Sequence, residues 1–191
     1  MQVYILKESN SDSRVAASPD TVKKMKDWGL NVVIQNDAGL NSNFSNEDYV
    51  KSGATISNSI NDISKSDLIL KINKPNDDEI VLMNEGSVLI ASLDPYNNSD
   101  TLNKLKDKGV TSFAMELMPR ITRAQSMDIL SSQSNLAGYK AVIDATYLFN
   151  KAMPMMMTAA GTIAPAKVMV FGAGVAAVSY THLTLPTKRI V

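Results

Sequence analysis

The chain has 191 residues, 45% apolar and 20% charged, with Lys+Arg and Asp+Glu balanced at 19 each and no cysteine. That is enough apolar material for a packed core, and the charge balance leaves no basic footprint for nucleic acid. Disulfides, thiol catalysis and cysteine-based metal sites are excluded, no metal site is expected, and no apolar run is long enough to span a bilayer.

Val3–Leu6 is a short apolar run suited to a buried strand and does not show the charged-then-apolar pattern of a signal peptide. Ser18 with Pro19 opens a helix whose stripe is Val22, Met25 and Trp28, and Gly29 stops it. Leu30–Ile34 is a second strand. Residues 36–46 form a polar loop, and Ser45 caps a short helix ending near Gly53. Asp62–Lys65 closes another short helix. Leu68–Ile72 and Ser87–Ala91 are strands, with an acidic helix start at Asn76–Glu79 between them. Asn98 or Ser99 caps a helix through Lys108, and Val110–Ala114 is the next strand.

Strand and helix alternate, the pattern of a parallel α/β sheet with helices on both faces. The expected fold is therefore a three-layer, flavodoxin-like N-terminal subdomain over residues 1–132. Ligands in such folds bind beyond the carboxyl ends of the strands, so Lys7, Lys71, Asp94 and Arg120 should open on one rim. Lys71 lies in an apolar run, where a charge needs either a partner or a ligand.

Next comes a polar cluster, with Arg120, Arg123, Gln125, Asp128 and Ser131 within a dozen residues. Two readings stand side by side. Ser131 or Ser132 caps the following helix and the cluster is an ordinary loop, or the arginines, amide and carboxylate grip a carboxamide and phosphates. Apolar positions from Ser134 to Phe149 predict the helix, and residues 133–157 connect it to a Met-rich linker, Met153–Met157.

Thr158–Gly161 is a turn. Lys167–Phe171 reads as a strand running into Gly172-x-Gly174-x-x-Ala177. That spacing fits the dinucleotide fingerprint, in which backbone at Gly172, Gly174, Val175 and Ala176 would approach a pyrophosphate; the other reading is a plain tight turn between strand and helix. Residues 158–177 are thus the first strand and Gly-rich turn of a truncated Rossmann subdomain. The β-branched residues and Pro186 of segment 178–191 continue that helix poorly, and this segment is expected to be a non-native tail resembling translated adapter sequence. His182 lies in it.

Arg120 through Asp128 with Gly138-Tyr139 resembles the NAD(H)-binding domain of proton-translocating NAD(P) transhydrogenases of the alpha-subunit type. Thr158–Gly161, Pro165-Ala166 and the Gly172 turn extend the likeness, and Lys7-Glu8, Arg14–Ala16 and Ser18-Pro19 are similar to the signature shared with alanine dehydrogenases. The resemblance spans residues 1–177, with Ala164 where a proline is usual and Ala177 where a glycine is commoner.

It implies NAD(H) bound between two α/β subdomains and a hydride passed to NADP(H) carried on a partner domain, coupled to proton movement through a membrane domain. It also implies a homodimer of NAD domains, cytoplasmic and peripheral to the inner membrane. Arg120, Gln125, Asp128 and Ser131 fall at the nicotinamide-facing positions, with Gln125 nearest the chemistry.

The rival is an alanine dehydrogenase-like enzyme. Amino-acid oxidation needs a general acid–base, which that family supplies as histidine, whereas the matching loop here reads Ser92-Leu93-Asp94-Pro95. Arg14 and Lys71 match that family's substrate positions and could persist as a vestigial site, and Asp94 is the rival's remaining candidate base. A third reading is a non-catalytic subdomain. The 191-residue chain alone is expected neither to bind NADH tightly nor to turn over.

Overall fold

A computed structural model describes residues 1–9 and 11–178. His182 and all of the expected tail but Val178 lie outside the described residues. The chain divides into two compact units, Met1–Met118 and Pro119–Val191.

The first unit is built on a six-stranded parallel sheet. In chain order it runs β1 (Gln2–Ile5), α1 (Pro19–Asp27), β2 (Asn31–Gln35), α2 (Asn46–Lys51), β3 (Thr55–Ser57) and a 3₁₀ turn (Ile60–Lys65). It continues with β4 (Leu68–Leu70), α3 (Asp77–Leu82), β5 (Val88–Ala91), α4 (Ser99–Asp107) and β6 (Thr111–Ala114). The strand order is β3-β2-β1-β4-β5-β6, with every neighbour parallel. Without the three-residue edge strand β3, this is the flavodoxin-like order, with the direction of winding reversing between β1 and β4.

Alternation along each strand creates two cores. Val3, Ile5, Val32, Ile34 and Leu70 pack with Val22 of α1 and Tyr49 of α2. Tyr4, Leu6, Ile69, Leu89 and Ala91 pack with Ile80 of α3 and Leu105 of α4. The helices begin where local chemistry dictates. Ser18 accepts from Thr21 N–H with Pro19 in the first turn, while Ser45 with Asp48 and Asn76 with Glu79 form reciprocal capping boxes.

Some expectations need correction. Trp28 does not join the α1 stripe. It is the C-cap residue, where the chain leaves the helix, and the residue is 74% exposed. Asn98 stands at the α4 N-cap without capping; its amide instead donates to the carbonyls of Leu93 and Asp94, tying that loop.

In the second unit, a 3₁₀ turn (Thr122–Met127) leads into α5 (Ile129–Leu148). This helix starts ahead of the expected Ser134, because Asp128 caps it; Ser131 and Ser132 sit in the first turn. Part of the Met-rich linker becomes β7 (Met156–Thr158), which pairs antiparallel with β8 (Gly161–Ile163) around the expected turn. Lys167–Phe171 has no ladder partner among the described residues, and a strand exists only by pairing. Helical structure follows at Val175, as the fingerprint reading requires.

Candidate functional site

Two places carry the expected residues, one in each unit. In the first unit, Lys7, Lys71 and Asp94 follow the carboxyl ends of β1, β4 and β5, the rim on which ligands bind in this architecture. Arg120, expected on the same rim, belongs to the second unit.

At the switch point between β1 and β4, Glu8 is buried and bridges the two strands. Its carboxylate accepts from Ile72 N–H at 2.6 Å, Asn73 N–H at 3.3 Å and the Asn73 amide at 2.9 Å. The same amide donates to Asp12 at 2.8 Å. Asp12 also receives Arg14, Nε at 2.9 Å and a terminal nitrogen at 2.6 Å, in a forked pairing. The guanidinium beside it holds the Asp12 carboxyl well below the usual carboxylate range, with the Asn73 amide adding to the effect. The same pairing raises the Arg14 pKa.

Lys71 resolves the alternatives left by its apolar surroundings. Its Nζ lies 2.7 and 2.6 Å from the two oxygens of Glu79, and the two side chains are only 7% and 6% exposed. Glu79 also accepts from Asn76 N–H at 2.8 Å, the second half of the α3 capping box. Lys71 therefore has an internal partner, and Arg14 has Asp12.

The loop after β5 is held from below. Glu116 accepts from Leu93 N–H at 2.9 Å and from Asp94 N–H through one oxygen, and its other oxygen is buried without a partner among the described residues. Asp94 takes φ 46°, and both its oxygens accept from Asn97 at 3.0 Å.

In the second unit the polar cluster separates into two sets. Asp128 accepts from Ser131 N–H at 2.9 Å and Ser131 Oγ at 2.6 Å, which holds its carboxyl below the ordinary value; Arg120 lowers it further. Arg120 and Gln125 are exposed, as is Arg123. The cluster is thus a helix cap and, beside it, an exposed set of donors. Asp128 keeps acceptor capacity beyond the cap, since an ionised carboxylate offers about four lone-pair positions.

The Gly-rich turn leaves its backbone open to a close approach. Gly172 takes φ 112°, which L side chains rarely adopt, and a Cβ at Gly174 would meet nothing within 4 Å. Gly138 on α5 is buried, and a Cβ there would drive into the Ala176 carbonyl, so only glycine lets α5 approach this turn. An apolar groove of about 470 Å³ lies beside the contact, lined by Val142, Phe149, Val168 and Met169 among others. At Gly172 and Gly174 nothing lies within 4 Å of where a Cβ would stand.

Glu79 and Asp12, which pair with the rim cations, and Glu8 and Asn73, which tie the neighbouring loops together, were not visible as a group in the sequence. The signal for Glu79 was the Asn76-x-x-Glu79 spacing, which announces a capping box but not a lysine across the turn. Among the described residues no acidic or histidine cluster could hold a metal ion, and no helix is long and apolar enough to cross a membrane.

Comparison with known proteins gives these features a family. The profile described as "Alanine dehydrogenase/PNT, N-terminal domain" matches residues 4–137, and "Alanine dehydrogenase/PNT, C-terminal domain" matches residues 141–184. The first portion of the NAD(P) transhydrogenase alpha subunit of Rhodospirillum rubrum is 47% identical over 183 residues, covering 92% of this chain and 48% of the relative. A crystal structure of transhydrogenase from Sinorhizobium meliloti superposes with a TM-score of 0.89 at 50% identity, covering 94% of this chain and 54% of that one. "Alanine dehydrogenase 1" of Staphylococcus aureus is 28% identical over 148 residues, covering 77% of this chain and 39% of the relative. The chain spans about half the length of these transhydrogenase relatives. By its fold, its Gly-rich turn and these matches, the chain belongs to the alanine dehydrogenase/PNT family.

Proposed function

We propose that the chain is the NAD(H)-binding part of an NAD(P) transhydrogenase, passing a hydride from NADH to NADP+ held on a partner domain and coupled to proton translocation. The observation that carries this reading is the internal pairing of the rim cations. Lys71 is closed off by Glu79, and Arg14 is forked onto Asp12. An oxo acid would have to displace a carboxylate from each. Hydride transfer between two nicotinamides makes no such demand, nor does it need a proton donor at the reacting carbons. It needs positioning and exclusion of water.

The relatives favour the same side, at 47% identity to a transhydrogenase subunit against 28% to an alanine dehydrogenase. Gly172, Gly174, Val175 and Ala176 would hold the pyrophosphate by backbone N–H groups. Arg120, Asp128 and Ser131 would orient the nicotinamide through its carboxamide. Gln125, exposed near the end of the 3₁₀ turn, would set the ring against its acceptor. NADH, once bound, supplies the hydride. The partners in this reading are a membrane domain, an NADP(H)-binding domain and a second NAD domain, at the cytoplasmic face of the inner membrane.

The test is isotopic. A chain of the relatives' full length carrying these residues, assembled with its NADP(H)-binding partner, should move deuterium from C4-deuterated NADH directly onto NADP+. Deuterium washed out to solvent would refute direct transfer.

A further inference from the structure

We draw no further inference here: the strongest candidate, the exposed apolar surface of α5 and β7 in the second unit, where Leu136, Tyr147, Leu148 and Met157 stand open to solvent, carries nothing because nothing among the described residues shows what covers it.

Discussion

Ser131 gives Asp128 two hydrogen bonds, its N–H at 2.9 Å and its hydroxyl at 2.6 Å, and with them Asp128 caps α5. The cap leaves the carboxylate with unused lone pairs, so one side chain could serve both the fold and the proposed ligand. The two roles separate by substitution. Asp128→Ala should cost about 1 kcal/mol in urea denaturation, while Asp128→Asn, an equally good cap, should cost only a few tenths. Both should weaken NADH binding in the full-length protein if the charge is used there. Unchanged affinity in Asp128→Asn would confine the residue to the cap.

Asp12 makes the switch point sensitive to acid. Its folded pKa is depressed, chiefly by the Arg14 hydrogen bond, so its contribution to stability is complete above the ordinary carboxylate pKa and is lost as pH falls toward the lowered value. Asp12→Asn should give a flatter profile of Tm against pH below about 4. Profiles of equal slope would show that the pairing contributes nothing.

Tyr49 predicts the opposite limb. Burial pushes its hydroxyl up to about 12, and that hydroxyl donates to the Ala17 carbonyl at 2.9 Å. A raised folded pKa means stability is complete below the ordinary tyrosine value, about 10, and declines as pH rises through the folded one. In ultraviolet titration, wild type minus Tyr49→Phe should leave a step near the upper value. A step at the ordinary value would show that the ring is solvated.

Gly138 tests the packing of α5 against the Gly-rich turn. Elsewhere in a helix Gly→Ala stabilises, by roughly 1 kcal/mol. Here the added Cβ collides with the Ala176 carbonyl, so Gly138→Ala should destabilise or shift the turn. In the full-length protein it should raise the Kd for NADH at least tenfold, by equilibrium titration. A stabilised variant with normal affinity would mean that the contact is not made.

The parallel sheet was legible because both its faces are covered, so β1, β2, β4 and β5 read as apolar runs between capped helices. Ser18-Pro19, Ser45 and Asn76 marked three helix starts correctly. β3 escaped notice because it is three residues long, with one isoleucine between Thr55 and Ser57. The α5 start was misplaced because the serines after Asp128 offered the same capping chemistry. Lys167–Phe171 has strand composition, but composition cannot supply a pairing partner. At the candidate site, Arg120 and Gln125 were readable as exposed loop residues. The Lys71–Glu79 pair was not, because it closes across a turn that only the fold brings together.

The proposed role in hydride transfer between nucleotides, as opposed to oxidation of an amino acid, is open to direct measurement. The direct measurement is a paired rate assay on one preparation of the full-length, partner-assembled protein. NADH oxidation is followed with an NADP+ analogue as acceptor, and separately with pyruvate and ammonia. The expected result is turnover with the analogue, loss of most of it in Gln125→Ala, and no oxidation above background with pyruvate and ammonia. Sustained turnover with pyruvate and ammonia, undiminished in Gln125→Ala, would assign the chain to amino-acid oxidation instead.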